Sequence, residues 1–197
     1  MTAGRQLLWA VLAPLLLAFA GLLAAAAPAG AAERIEVREV RFELRDEHWQ
    51  LDAEFRLELA PRIEEALDRG LPLYFVVEFE LVRPRWYWFD DKAVSTSLTY
   101  RLSYNALTRQ YRLSTGSLQV GFASLAEALG VLTRVRNWRV AERAALAARE
   151  TYQAAVRMRL DTSQLPKPFQ INAISDRDWS LDSDWKRFTV NSGETGR

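Results

Sequence analysis

The sequence predicts a mainly β protein, an antiparallel β-sandwich with two short helices, for which an immunoglobulin-like topology is one option. Three observations indicate this fold class: segments in which apolar and polar residues alternate, turn signals at hairpin spacing between those segments, and only two short stretches with helix signals. The chain contains no cysteine, so its stability has to come from a hydrophobic core rather than from disulfides.

The first strands form a predicted β-hairpin. Apolar residues alternate strictly with polar ones over residues 49–59, which is typical of a half-buried strand. Residues 35–44 alternate in two phases, and the phase slip predicts a β-bulge near Arg38 and Glu39. With Glu39 as the extra residue, pairing outward from the turn places Arg38 opposite Glu54 and brings opposite charges together on one face.

A short helix and a central strand follow. Pro61 suits the first turn of a helix, and Gly70 suits its C-terminal stop. Residues 73–82 are apolar on one face and partly apolar on the other, which indicates a strand in the middle of a sheet. Further alternating segments predict strands at residues 94–104, 110–113, 117–122 and 156–160.

The second helix is predicted from a capping box. Ser124 followed by Glu127 ahead of an apolar run is the signature of a helix N-terminus, so we expect a helix from Leu125 to about Arg134. The alanine-rich residues 141–148 favour a helix by propensity but lie between predicted strands, so tertiary context decides their structure.

Residues 1–31 have the pattern of an export signal. Arg5 precedes an uncharged apolar run from Leu7, and small residues end the run at positions 29–31. This pattern predicts a secretory signal peptide that is cleaved after Ala31. The alternative is an uncleaved inner-membrane anchor, because the run approaches the ~20 residues that span a bilayer. The predicted location is therefore the periplasm, or the inner membrane with the domain facing the periplasm.

Outside that segment the charges balance. The chain has 26 Lys and Arg against 25 Asp and Glu, and Arg5 is the only charged residue of the first 31. The predicted single domain, residues 32–190, and the predicted flexible tail, residues 191–197, therefore carry no net charge together. A balanced domain has no general electrostatic attraction to nucleic acid or to anionic lipid. We expect no nucleic-acid partner, and membrane contact only through an uncleaved N-terminal segment.

Few residues suited to catalysis or metal binding are present. His48 is the sole histidine and lies in the first hairpin turn, where a general base would still need a partner and a cleft. No phosphate-binding loop or nucleophile elbow occurs. We therefore predict no catalytic residue, no cofactor and no metal site, so the protein is predicted not to be an enzyme. A hydrolase that uses paired carboxylates is the third alternative.

Four aspartates near the C-terminus form the best metal candidate. They are Asp176, Asp178, Asp182 and Asp184. An EF-hand counted from Asp176 would need Gly and Glu where Leu181 and Arg187 stand. The interleaved Trp179, Leu181 and Trp185 favour instead an extended edge segment, with these side chains inward and the acids outward.

The best candidate for a partner-binding surface is an arginine and aromatic segment after the central strand. Its residues are Arg85, Trp86, Tyr87, Trp88 and Phe89. Four consecutive aromatic residues cannot all face one side of a strand, so either both faces are covered or some rings are exposed. Exposed rings beside an arginine predict an aromatic anchor for a protein partner or for the membrane interface. The alternative is a buried hairpin end with an arginine stacked on a ring.

Several motifs resemble those of a known family. They are residues 156–161 (VRMRLD), 165–170 (LPKPFQ), 178–185 (DWSLDSDW) and 65–73, with the arginine and aromatic block after Val82. Over nearly all of the mature chain, the sequence resembles a proteobacterial family of exported proteins, domain of unknown function 4390. The resemblance implies no activity, cofactor or catalytic residue. It implies a context in envelope signalling, since genes of such proteins often neighbour a nitrogen-regulation-type membrane sensor kinase.

The leading hypothesis is a noncatalytic envelope domain that binds an envelope or inner-membrane protein, with a sensor histidine kinase as one such partner. The alternative is a carrier or sensor of a small apolar ligand, because the chain is rich in aromatic residues that can line a pocket. An enclosed apolar cavity would favour the carrier. A filled core with an exposed aromatic segment would favour the protein partner.

Overall fold

Nine strands form the framework of the part of the chain that the computed structural model describes, residues 35–84, 91–170 and 177–193. The strands are β1 (Ile35–Arg45), β2 (His48–Leu57), β3 (Leu73–Arg83), β4 (Asp91–Asn105), β5 (Gln110–Thr115), β6 (Leu118–Phe122), β7 (Arg134–Glu142), β8 (Thr151–Leu160) and β9 (Lys186–Asn191). Helix α1 (Pro61–Asp68) follows β2, and helix α2 (Leu125–Leu132) follows β6. Short 3₁₀ turns occur at Arg143–Ala145, Thr162–Gln164 and Arg177–Trp179, and residues 167–170 are helical.

The strands form two antiparallel sheets, as predicted for a sandwich. The small sheet has the order β1-β2-β7, and the large sheet has the order β6-β5-β4-β3-β8-β9. The predicted central strand is confirmed as β3, which pairs with β4 on one side and with β8 on the other. The edges of the large sheet are therefore β6 and β9, and those of the small sheet are β1 and β7.

The core lies between the inner faces of the two sheets. The outer face of each sheet is the side that points away from this core. The inner face of β3 contributes the fully buried Leu73, Phe75, Val77, Phe79 and Leu81. Phe42 of β1 links the sheets, because its ring stacks on Trp49 with a centroid distance of 5.1 Å and on Phe79 at 5.4 Å. Each fully buried side chain of this size contributes about 1.5–3 kcal/mol through removal from water.

The first hairpin has the predicted pairing and a bulge at the predicted place. The extra residue is Arg38 and not Glu39, because Glu39 lies opposite Glu54. Arg38 therefore does not face Glu54, and its Nη2 lies 3.0 Å from Oε2 of Glu36 on the same strand. Glu39 likewise accepts hydrogen bonds from the Arg41 guanidinium. Within β1, oppositely charged side chains two residues apart thus form ion pairs along the strand. Ion pairs to the neighbouring strand β2 also occur, since Arg45 lies 3.8 Å from Asp52.

Helix α1 ends as its sequence predicts. Gly70 adopts a left-handed conformation with φ +93. Its N–H donates to the carbonyl of Leu67 at 2.8 Å, and the N–H of Leu71 donates to the carbonyl of Ala66 at 3.0 Å. These two bonds form a Schellman motif, which satisfies carbonyl groups that the helix leaves open.

Helix α2 begins at the predicted cap and ends early. Oγ of Ser124 accepts the backbone N–H of Glu127 at 3.3 Å, as expected for a capping residue. The helix ends at Leu132 rather than near Arg134, because Thr133 caps it and β7 begins at the next residue.

Two strands, β7 and β9, are absent from the sequence predictions. In β7 the reason is a local change of conformation. Asn137 has φ +52, and the pairing of β7 with β2 is irregular, so the apolar residues of β7 lose the period of two that identifies a strand. Asp52 of β2 stabilises this kink, because its carboxylate accepts the N–H of Asn137 at 2.6 Å. The alanine-rich residues 141–148 begin in β7 and continue into a 3₁₀ turn.

The C-terminal edge segment follows the prediction in part. Trp179 and Leu181 are buried, and the aspartates that follow them are exposed. The predicted inward position of Trp185 is wrong, because its side chain lies on the outer face of the large sheet. The pairing with β8 shifts by one residue between Asp182 and Lys186, and such a shift moves the next side chain to the opposite face.

The sequence predicts a signal peptide at the N-terminal end of the chain and a flexible tail at its C-terminal end. The predicted signal peptide, residues 1–31, lies outside the described residues. Within the described ranges, no helix has the length and apolar character needed to cross a membrane. At the C-terminal end, β9 includes Asn191, the first residue of the predicted tail, and Ser192 donates a hydrogen bond through Oγ to the carbonyl of Ala147.

Two glycines test the conformations at the helices. Gly70→Ala is expected to lower the free energy of unfolding by about 1 kcal/mol, because alanine is strained in a left-handed conformation. Gly130 lies inside α2, where a new Cβ meets open space. Gly130→Ala is therefore expected to raise the free energy of unfolding by about 0.5 kcal/mol, because alanine has the higher helix propensity. Urea denaturation of both variants measures the two changes, and changes of the same sign would contradict these conformations.

Candidate protein-binding site

The aromatic segment that the sequence favours as a partner-binding surface, Arg85, Trp86, Tyr87, Trp88 and Phe89, lies outside the described residues. The strands on either side are described. At the end of β3, Arg83 lies opposite Asp91 at the start of β4. The segment therefore connects two paired strands of the large sheet, and its role in binding stays a prediction.

The sole histidine links two strands of the small sheet. Nδ1 of His48 donates a hydrogen bond to the carbonyl oxygen of Asp46 at 2.7 Å, and Nε2 lies 3.2 Å from Oε1 of Glu142 on β7. His48 and Glu142 are also opposite each other in the β2–β7 pairing. Both ring nitrogens are thus used in contacts that hold the hairpin turn against β7.

The described residues contain no group of three or more His, Cys, Asp or Glu side chains placed to hold a metal ion. Of the C-terminal aspartates, Asp176 lies outside the described residues. Asp182 accepts a hydrogen bond from Oγ of Ser180 at 3.1 Å, and Asp184 is exposed.

The outer face of the large sheet carries one candidate surface, a charged cluster around Glu78 in the middle of β3. The two carboxylate oxygens of Glu78 accept hydrogen bonds from Nε of Arg157 at 2.6 Å and from Nε of Arg159 at 2.9 Å. Arg159 also contacts Asp161 through Nη1 at 3.5 Å. The Arg157 guanidinium lies over the ring of Trp185, 4.5 Å from its centroid, in a cation–π contact.

These contacts determine the charge state of the cluster. Burial alone would raise the pKa of Glu78, but the hydrogen bonds and charges of Arg157 and Arg159 outweigh it and lower that pKa. Burial would lower the pKa of Arg159, but Glu78 and Asp161 outweigh it and raise that pKa. Because its charges are paired internally, the cluster has the character of a stabilising network rather than an open binding site.

The open edge of β6 is the second candidate surface. A two-residue turn joins β5 to β6. In that turn Gly116 has φ +54, and Thr115 lies opposite Leu118. The pair that closes such a hairpin is hydrogen-bonded, and hydrogen-bonded pairs alternate along the ladder. The N–H and C=O groups of Gln119 and Gly121 therefore point away from β5, toward the open side of the sheet.

Apolar side chains border this edge. Leu118 and Val120 are 62% and 42% exposed. Both lie on the inner face, since Val120 is opposite the buried Leu113. Val131 of α2, a helix that contacts β6, is 47% exposed. The strand thus combines backbone groups available for pairing with an uncovered apolar row.

The other sheet edges carry charges that β6 lacks. β1 has a bulge at Arg38, β7 has the exposed Arg134 and Arg136, and β9 begins with the exposed Lys186 and Arg187. Charges and bulges are the usual protection of an edge strand against pairing with another chain. β6 contains no charged residue and no proline, and its pairing with β5 has no bulge.

Neighbouring elements hold β5 and β6 in place. The hydroxyl of Tyr111 on β5 donates a hydrogen bond to Asp68 of α1 at 2.6 Å, and this bond, together with burial, raises the pKa of Tyr111 to about 12. The Tyr111 ring also packs against that of Tyr104. Helix α2 contacts both strands and buries Ala128 and Leu132. An edge that is already ordered can bind without the cost of ordering it.

The sequence predicts a strand at residues 117–122 but not its place at an edge. The signal that was available is the lack of charge, because residues 113–126 form the longest uncharged run after residue 32. A strand buried inside a sheet gives the same signal. Only the strand order identifies the edge, because β5 is the one strand beside β6 among the residues that the structure describes.

Glu78→Gln tests the role of Glu78 in the charged cluster. At pH 7 we expect the free energy of unfolding to fall by about 1 kcal/mol, because two arginines lose a charged acceptor. Since the fold lowers the pKa of Glu78, its stabilising contribution is present above the ordinary glutamate pKa, about 4.3, and is lost as the pH falls through the lower folded value. The difference in stability between the two proteins should therefore shrink on acidification.

Glu80→Gln is the matched control for this test. Glu80 lies on the same face and pairs with Lys92 at 2.7 Å, but both side chains of that pair are more exposed, so its loss should cost less than about 0.5 kcal/mol. Urea denaturation between pH 3 and neutrality, a range that covers the carboxylate pKa values, measures both variants. Equal losses for Glu78→Gln and Glu80→Gln would contradict the role assigned to Glu78.

Comparison with known proteins identifies a family. The family model described as Domain of unknown function (DUF4390) matches residues 32–189. No curated protein and no solved structure matches the chain. The matched span contains all of the described strands except the last two residues of β9, and it includes both candidate surfaces. The chain therefore belongs to the DUF4390 family.

Proposed function

We propose that this protein is a noncatalytic domain of the cell envelope that binds another protein. The observation that carries the proposal is the open edge of β6, where the backbone groups of Gln119 and Gly121 face outward beside the exposed Leu118 and Val120. An extended segment of the partner would add to the large sheet as a strand. Main-chain hydrogen bonds would then supply affinity, and side chains would supply specificity.

The chemistry of this edge supports a protein as the partner. Alternating N–H and C=O groups at strand spacing match the backbone of another polypeptide. Neither a lipid headgroup nor a nucleic acid offers donors and acceptors in that arrangement. An unprotected edge also pairs readily with other strands, so its presence fits a site that a partner covers.

The noncatalytic part of the proposal is supported by how the reactive side chains are used. Both ring nitrogens of His48 are occupied in structural contacts. Both carboxylate oxygens of Glu78 accept hydrogen bonds from arginines. Groups held in this way lack the free position next to a substrate that acid–base catalysis needs.

The compartment and the type of partner are proposed from the sequence. The apolar N-terminal segment, residues 1–31, supports export to the periplasm or an inner-membrane anchor that faces it. The resemblance to exported proteins whose genes neighbour membrane sensor kinases supports a partner in the envelope or inner membrane. We propose a membrane sensor histidine kinase as that partner, with the domain modulating its activity.

A carrier of a small apolar ligand is the second candidate, and one observation favours it. Nε1 of Trp49 is buried and has no hydrogen-bond partner among the described residues, and an unpaired buried donor costs about 1–3 kcal/mol. A ligand with an acceptor oxygen would remove that cost. However, Phe42 lies flat on the Trp49 ring and also stacks on Phe79, so rings already fill the space between the sheets at this point.

Crosslinking in intact cells tests the proposal. The full-length protein is crosslinked, purified from the envelope fraction and compared with Gln119→Pro and Gln119→Ala. Proline removes the outward N–H but no hydrogen bond within the sheet, whereas alanine keeps that N–H. We expect the wild type and Gln119→Ala to capture the same membrane protein. Gln119→Pro should capture at least about tenfold less, as the loss of about 1.4 kcal/mol predicts.

The same experiment tests the aromatic segment through Trp86→Ala combined with Trp88→Ala. Circular dichroism first confirms that each variant is folded. Loss of capture by this double variant, with full capture by Gln119→Pro, would place the contact on the aromatic segment and contradict strand addition. Co-purification of a small molecule without any protein would contradict protein binding and support the carrier.

A further inference from the structure

A strand added to β6 has two sides, and they meet different surfaces. Alternate side chains would point to the inner face, beside Leu118 and Val120, or to the outer face, beside Gln119 and Gly121. The chemistry of those two surfaces therefore determines which residues the partner segment needs.

The inner side of the site is apolar. Leu118 and Val120 are exposed there, and so is Val131 of α2. Phe122 continues the row and packs partly against the core. Apolar side chains on the added strand would cover this row and remove it from water.

The outer side of the site has little side-chain bulk and is basic. Gly121 has no side chain and lies opposite Arg112 of β5. The flexible amide of Gln110 approaches it, with Oε1 3.4 Å from the position of a Cβ. One strand further in, Arg101 of β4 lies opposite Ser114, diagonally next to Arg112.

Arg101 and Arg112 differ from the arginines at the centre of the outer face of the large sheet. Arg157 and Arg159 share the carboxylate of Glu78. Within the described ranges, no Asp or Glu lies within ion-pair distance of Arg101 or Arg112. Positive charge is therefore uncompensated at the end of the face that borders β6, although the whole domain is nearly neutral.

The distances suit a carboxylate on the added strand. Neighbouring strands lie about 4.8 Å apart, so the added strand would lie about 10 Å from β5. Extended arginine and glutamate side chains together can cross that separation. A residue with a side chain in place of Gly121 would stand between them, whereas glycine leaves the path to Arg112 open apart from the side-chain amide of Gln110.

We propose that the segment bound by β6 alternates apolar with acidic residues. The apolar residues cover Leu118 and Val120, and the acidic residues reach across Gly121 to Arg112, with Arg101 adding attraction at longer range. This inference rests on the proposed strand addition and specifies the partner that it takes. A segment with lysines in the outward positions is disfavoured by the same two arginines.

Three blocked heptapeptides test the pattern. In each, valine alternates with one other residue, which is glutamate, lysine or threonine. Each peptide is titrated into the full-length protein in nonionic detergent, and the dissociation constant is measured. We expect the glutamate peptide to bind at least about tenfold more tightly than the lysine peptide at low salt, and this ratio to approach one near 1 M salt, where charges are screened within about 3 Å.

Two arginine variants locate the effect. Arg112→Gln is expected to bring the ratio between the glutamate and lysine peptides close to one while leaving the affinity of the threonine peptide unchanged. Arg187→Gln is the matched control, because Arg187 is an exposed arginine on the outer face at the opposite edge, on β9. It should leave the ratio as in the wild type. The same loss of preference in both variants would overturn the assignment to Arg112.

The outcomes separate this inference from the proposed function. Equal affinities for the three peptides, all lost in Gln119→Pro, would overturn the acidic pattern and leave strand addition standing. A peptide that binds Gln119→Pro as tightly as the wild type does not add as a strand, which would overturn both. Failure of all three peptides to bind would also overturn both.

Discussion

The burial of the inner face of β3 is the constraint on which the rest of the structure depends. β4 and β8 pair directly with β3. β5 pairs with β4, β9 pairs with β8, and β6 pairs with β5, so each further strand is positioned through these two. The small sheet is fixed on the same surface. Phe79 of β3 stacks on Phe42 of β1 and meets the ring of Trp138 of β7 edge-on at 6.4 Å. One phenylalanine thus contacts both outer strands of the small sheet.

Alternation predicts strands and one hairpin register, but it does not predict which strands become neighbours. The first hairpin was predictable because its phase slip leaves one way to bury the apolar set. β7 was not, because the left-handed Asn137 interrupts its period and the contact that stabilises it comes from the distant Asp52. Trp185 was assigned to the wrong face because a register shift against β8 leaves no trace in the local pattern. Leu118 and Val120 alternate in the same way whether or not another strand covers them, so the candidate site could not be found without the strand order.

The outer face of the large sheet divides into two electrostatic regions. At its centre, the carboxylate of Glu78 neutralises two arginines, and the ring of Trp185 covers one of them. Toward β6, Arg101 and Arg112 lie opposite uncharged residues in the strand pairings, which are Tyr74 and Ser114 for Arg101 and Ser103 and Gly121 for Arg112. A net charge of nearly zero therefore conceals a local imbalance, because Coulomb attraction acts over the few ångströms that separate neighbouring side chains, whereas salt screens it over longer distances.

If β6 binds a partner as proposed, its uncharged edge also makes the solubility of this protein depend on the amount of that partner. Copies made in excess would keep β6 uncovered, and uncovered edges of this kind pair with one another or with chains that are still folding in the same compartment. Balanced synthesis of the two proteins avoids this loss, whereas an increase in the dose of one gene alone does not. The five uncharged residues of β6 are thus expected to limit the concentration at which the uncovered protein stays in solution.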